Sequence, residues 1–180
     1  MLFRSVSCTE KDIKKLCREA TRHKFRAVCV NLIWVELCSN IFKNEKKSIK
    51  VSAIIDFPLG ANGLENKILQ AKLAKKLGAT EIDTVMNLSN ILEKKYDLVE
   101  EEIIKINSIL PTKFIIEHSV LTDKQVLKVA ELLYKNKAFC LKLATGFIVS
   151  EHDQKLKHIK LIKKNFPELI VKASGGIKSN

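Results

Sequence analysis

The chain has 180 residues, 46% of them hydrophobic, enough for one sizeable domain with a real core. Its formal charge is +12, carried by 28 Lys and only 4 Arg. The lysines are spread along helical segments, and arginine, the bidentate reader of bases and phosphates, is scarce, so a basic nucleic-acid-binding domain stays a minor alternative. No apolar stretch of about 18 residues spans a membrane.

The first eight residues, MLFRSVSC, have a weak apolar pattern, and residues 2–7 make at best a poor strand. Thr9 with Asp12 three residues later reads as an N-cap and capping box. Ile13, Leu16, Cys17 and Ala20 give the following helix its apolar stripe. RAVCVN (26–31) is a short buried strand, and 32–40 a short helix with Trp34 and Leu37 inward. KVSAIIDF (50–57) is the next strand, ending in the loop FPLGANG (57–63), where Pro58, Gly60 and Asn62-Gly63 mark tight turns.

Leu64 to Leu77 repeats apolar residues at helical spacing, namely Leu69, Ala71, Leu73, Ala74 and Leu77, and Gly78 suits the C′ position. EIDTVMN (81–87) is a strand. A loop leads from it to a helix at about 98–110, with Val99, Ile103, Ile104, Ile106 and Leu110 as apolar positions. KFIIEHS (113–119) is a strand, and Thr122 caps the helix DKQVLKVAELLYKN. AFCLKLA (138–144) is a strand ending in Thr145-Gly146. A helix at 152–165 precedes the last strand, ELIVKASGG.

Most strands are continuous apolar runs, recurring about every 25–30 residues, as in a parallel sheet covered by helices. A doubly wound sheet and a (β/α)8 barrel both fit this pattern. Six strands are clear and residues 2–7 make a seventh. As a barrel the chain is therefore incomplete, its eighth β-α unit missing, within a single domain over 1–180. The five cysteines form no CxxC pair, and Cys29 and Cys140 sit in apolar runs as small buried hydrophobes. This cysteine usage favours a reducing, cytoplasmic setting.

Two lysines stand out. Lys142 and Lys172 each end an apolar run and are followed within a few residues by glycine. The period of two places Lys142 with Cys140, and Lys172 with Ile170, on the face opposite their apolar neighbours. Close ammonium groups disfavour double protonation, and burial adds to this, so one amine can attack a carbonyl and form a Schiff base. Asp83, inside its strand, is a candidate proton shuttle or ion-pair partner. Two snorkelling lysines and a strand-end carboxylate are the plain alternative. Ser174, Gly175 and Gly176 follow a strand and offer a phosphate nest, though a lone GG has neither dinucleotide nor Walker spacing. His23, His118, His152 and His158 show no metal-ligand spacing, and His118 reads as structural.

Together these stretches resemble the deoxyribose-phosphate aldolases. The matches run in order over roughly 9–178: TEKDIKKLC, AVCVN, DFPLGAN with Lys67 beyond, GATEIDTVMN, LVEEEI, KFIIEHSVLTD, KLATGF and VKASGGIK. The resemblance implies a TIM-type barrel and a class I lyase without metal or cofactor. It implies that 2-deoxy-D-ribose 5-phosphate is cleaved reversibly to acetaldehyde and D-glyceraldehyde 3-phosphate. By its motifs, Lys142 forms the Schiff base, Lys172 disfavours protonation of its neighbour, and Asp83 works with water in proton relay. Thr145, Gly146, Ser174, Gly175 and Gly176 line the substrate and phosphate site, and a homo-oligomer is compatible. The chain departs from the family at Glu117-His118-Ser119 (often ETG), Ala144-Thr145-Gly146 (usually STG) and Asn31-Leu32 (often NP). It also lacks the family's opening strand pattern and the eighth-strand Gly-x-Ser loop. A catalytically weakened or inactive aldolase-like protein is the alternative that these departures raise.

Overall fold

Strands that are apolar on both faces need a cover on each side, and a parallel sheet with crossover helices supplies it. The computed structural model describes residues 2–3, 7–43, 49–149 and 151–174. Seven strands form one sheet: β1 (Leu2–Phe3), β2 (Ala27–Asn31), β3 (Lys50–Ile55), β4 (Glu81–Val85), β5 (Thr112–Ile115), β6 (Cys140–Lys142) and β7 (Val171–Lys172). Every pairing is parallel, and the sheet order β1 to β7 follows the chain. A doubly wound sheet would reverse its order partway, so the barrel-type architecture holds. β1 and β7 are the two ends of that order, and the barrel is not closed among the described residues.

The helices are α1 (Glu10–Arg22), α2 (Val35–Phe42), α3 (Leu64–Lys76), α4 (Leu88–Leu92), α5 (Tyr96–Asn107), α6 (Asp123–Lys135) and α7 (His152–Asn165). The predicted Thr9–Asp12 capping box forms, and Thr122 caps its helix as expected, its cap extended to a box by Gln125. The core divides in two. Val28, Val30, Val51 and Ala53 pack against Ile13, Leu16, Val35 and Cys38 of α1 and α2. Ile82, Phe114, Leu141 and Leu143 pack against Ile103, Ile106, Val126 and Val129 of α5 and α6. The alternate strand residues, Cys29, Ser52, Asp83, Lys113, Cys140 and Lys142, face the other way and are also buried.

Three local expectations change. The stretch after β4 is not only loop. It contains α4, whose N-terminus is capped by the Asn87 side chain. Residues 32–34 form a 3-10 turn, and the buried residues of α2 that follow are Val35, Cys38 and Phe42, with Trp34 and Leu37 packed at the edge. On α3, Leu69 is 64% and Leu73 46% exposed, while Lys67 is 1% exposed and shares the inward face with Ala71 and Ala74. Gly78 does terminate α3, at φ 95°, against Ser39 of α2. No helix among the described residues is long and apolar enough to cross a membrane.

Candidate active site

The parallel register sets the interior. Lys142 is level with Lys172 across β6 and β7, Ile54 with Asp83 across β3 and β4, and Asp83 with Lys113 across β4 and β5. These side chains point to the face away from the helices, as their alternation requires. They converge on Asp83, which is fully buried. Its Oδ2 accepts from Lys142 Nζ at 2.8 Å and lies 3.6 Å from Lys172 Nζ. Its Oδ1 accepts from Lys113 Nζ at 2.8 Å and from Ser52 Oγ at 2.7 Å.

Burial alone would raise the Asp83 carboxyl. The ammoniums of Lys142, Lys113 and Lys172 outweigh it and hold the group far below the usual carboxylate range. Lys113 is the mirror case. Burial would lower its ammonium, but Asp83 and Glu81 raise it, so this lysine stays charged. Glu81 is bound on one side by Lys113 at 2.6 Å and on the other by both guanidinium nitrogens of Arg26. Burial pushes the nearby thiols up, Cys29 to about 12 and Cys140 to about 11, so both are unionised hydrophobes at neutral pH.

The two lysines differ in surroundings. Lys142 is 1% exposed, whereas the Lys172 side chain is 40% exposed. A cavity of about 540 Å3 reaches Lys172, Lys113, Ser52, Cys29 and Cys140 from the side of Arg26, ahead of β2. Lys172 is thus the solvated member and Lys142 the enclosed one.

Beyond β6 the chain is clamped. Glu117 Oε2 accepts from Thr145 N at 3.0 Å and from the Thr145 hydroxyl, and Thr145 Oγ1 accepts from Phe147 N at 3.1 Å. Glu117 itself sits at φ 45°, unusual for a residue with a side chain. Gly146, at φ 82°, takes the turn that the clamp requires. Ser174 donates to Ala144 O at 2.7 Å and accepts from Ala144 N at 3.0 Å, tying the ends of β6 and β7. The hydroxyls of Thr145 and Ser174 therefore serve the protein, and Gly146 offers backbone. Gly175 and Gly176 lie outside the described residues.

A second buried network braces β4 from the helix side. Lys67 Nζ donates to Val85 O at 2.7 Å and to Glu102 Oε1 at 2.6 Å, and lies 3.4 Å from Asp56 Oδ2. Glu102 Oε2 accepts from Asn87 N, and Asp56 accepts from Asn62 N, so the network also fixes the turn after β3. His118 is structural in surroundings. It is buried, with Nδ1 2.9 Å from His158 Nδ1, while His158 Nε2 meets Asp123 at 3.1 Å. Among the described residues no group of three or more His, Cys, Asp or Glu is arranged to hold a metal ion.

Asp83, Lys142 and Lys172 were legible by alternation. Lys113, Ser52 and the Arg26–Glu81 pair were not singled out. The available signal was the same parity: Lys113 and Glu81 share the inward faces of their strands.

No family model matches the chain. It is 39% identical over 184 residues to the deoxyribose-phosphate aldolase of Caldicellulosiruptor saccharolyticus, covering 98% of this chain and 82% of that one. It superposes on the tetrameric deoxyribose phosphate aldolase of Aeropyrum pernix with a TM-score of 0.85 at 29% identity, over 99% of this chain and 76% of that one. A solved structure described as "QR15, an Aldolase" gives a TM-score of 0.88 at 34% identity, over 98% and 79% of the two chains. With this identity along nearly its whole length, and the sequential parallel sheet beneath it, the chain belongs to the deoxyribose-phosphate aldolase family of lyases.

Proposed function

We propose that the chain cleaves 2-deoxy-D-ribose 5-phosphate reversibly to acetaldehyde and D-glyceraldehyde 3-phosphate through an imine on Lys142. The observation that carries this reading is the shared carboxylate oxygen. Asp83 Oδ2 faces the enclosed Lys142 and the solvated Lys172 together. The Lys142 amine, enclosed beside that oxygen, is the nucleophile proposed to attack C1 of the open-chain sugar. Loss of water gives the iminium. A proton leaves the C3 hydroxyl, the C2–C3 bond breaks, and its electron pair neutralises the iminium as an enamine. Glyceraldehyde 3-phosphate departs. Protonation at C2 and hydrolysis release acetaldehyde and restore the amine.

Asp83 is too acidic to be a strong base, so water carries the protons while the carboxylate holds the cations in place. Lys172 supplies the second positive charge. The backbone at Gly146, with Gly175 and Gly176, is the proposed phosphate contact. Residues 1–180 act as one barrel-type domain, the setting is cytoplasmic, and self-association accompanies the fold as in the tetrameric relative.

A weakened or inactive aldolase is the second reading. The barrel left open among the described residues, with a partly exposed Lys172, favours it. Acetaldehyde with borohydride decides the chemistry. A two-carbon adduct is expected on Lys142 by peptide mapping, along with retro-aldol turnover. An adduct confined to Lys172, or none, overturns the assignment. Trapping without turnover supports the weakened reading.

A further inference from the structure

We propose that Ser52 is a positioning residue for this chemistry, its hydroxyl fixing the rotation of the Asp83 carboxylate so that Oδ2 stays turned toward Lys142 and Lys172. The inference rests on the roles given above to Asp83 and Lys142. Ser52 lies on β3 and is buried. Its Oγ has two partners, Asp83 Oδ1 at 2.7 Å and Lys113 Nζ at 3.1 Å. An ammonium only donates, so Ser52 accepts from Lys113 and its own proton points to Asp83. The direction of the hydroxyl is therefore set by chemistry.

That direction matters because nothing else at Asp83 among the described residues is as directional. Its remaining partners are the ammoniums of Lys113, Lys142 and Lys172. An ammonium is a compact point charge with rotatable donors, and the terminal torsion of aspartate is broad. Three such charges hold a carboxylate in place without fixing its twist. Imine formation at Lys142 then removes N–H donors from the Oδ2 side. Ser52 and Lys113 keep Oδ1 engaged through that step, so Oδ2 does not swing away from the reacting nitrogen. The other small side chains on this interior, Cys29 and Cys140, are protonated thiols and weak donors that could not replace the hydroxyl.

The test compares Ser52→Ala with Ser52→Thr in the full chain. The alanine variant is expected to lose about 10-fold in kcat with KM changed less than about 2-fold, the signature of an interaction lost in the reacting complex. The threonine variant, which keeps the hydroxyl, is expected within about 3-fold of the wild type. A second readout needs no turnover. Asp83 has a depressed carboxyl, so its stabilising effect is present above the unfolded-state value and is lost as pH falls through the folded one. Removing a hydrogen bond to the charged form raises the folded value. The acid-unfolding midpoint of the alanine variant therefore moves to higher pH, and that of the threonine variant does not. Wild-type kcat and an unmoved acid midpoint in Ser52→Ala overturn the proposal. So does an equal loss in both variants, which indicates packing rather than the hydroxyl. If the wild type neither traps acetaldehyde nor cleaves the sugar, the aldolase reading fails, and the acid midpoints still decide whether Ser52 holds Asp83.

Discussion

Replacing Lys67 by Met tests whether the buried network behind β4 is a structural brace. The swap keeps an unbranched chain of similar volume and removes only the charge and its donors. Two buried carboxylates are left behind, Glu102 and Asp56, and the Val85 carbonyl loses its 2.7 Å donor. Breaking one side of a buried pair costs ~3–5 kcal/mol. Against a total stability of about 5–15 kcal/mol, that is a large fraction. The pH dependence identifies the cause. Burial already raises the Glu102 carboxyl, with Lys67 pulling it back, so losing Lys67 raises it further. A carboxyl with a raised folded value binds its proton more tightly in the native state, so stability falls as pH rises through that window. Urea unfolding at pH 5.5 and 7.5 should show the variant's deficit growing at the higher pH. Adding Glu102→Gln should recover about half of the loss there, because the stranded charge is gone. A single-variant loss below ~1 kcal/mol, or a double variant no better than the single at pH 7.5, would refute the reasoning.

Two further outcomes are expected. Gly60→Ala should destabilise the chain by at least ~1–3 kcal/mol, since φ is 68° and a Cβ there would collide with the backbone oxygens of Met86 and Val85; an unchanged Tm would contradict this. Burial, with the charges of His158 and Lys155, pushes His118 down to about 4. The unfolded chain then takes up a proton below pH ~6.5 that the native state refuses, and about 3 kcal/mol of stability disappears between there and pH ~4. His118→Asn, which keeps a donor near Nδ1 without titrating, should flatten that limb in denaturant melts, with Asp123 and Lys157 left beside His158.

The order of strands and helices could be read from apolar runs and caps because both are local. Thr9 and Thr122 announce their helices within four residues. Alternation was also enough to turn Lys142, Lys172 and Asp83 inward. What escaped was anything decided by a partner distant in sequence. Lys113 opens an apolar strand, where a lysine ordinarily snorkels to water; Glu81 and Asp83, about 30 residues earlier, make its burial tolerable. Leu69 and Leu73 fit a helical stripe better than Lys67 does. Glu102, 35 residues beyond Lys67, turns α3 the other way. α4 has five residues, too few to show a period. Ser52 carried no signal at all, because a serine in a strand gains meaning only from the two ionised groups it touches.

The charges inside the barrel do not balance, and the imbalance bears on the substrate. Among the described residues, Arg26, Lys113, Lys142 and Lys172 face two carboxylates, Glu81 and Asp83. Arg26 is 59% exposed, so solvent screens much of its charge. Lys113 has close contacts to both carboxylates, and Lys142 has one to Asp83. Lys172 is left with a 3.6 Å approach to an oxygen already held by Lys142. A neutral aldehyde would leave that surplus in place. A phosphorylated sugar brings about two negative charges with it, and its entry offsets part of the net positive charge of the site. The chain's scattered lysines add a long-range field of the same sign. Lys172 is itself solvated, so salt screens this attraction, and affinity for a phosphorylated substrate should fall as ionic strength rises.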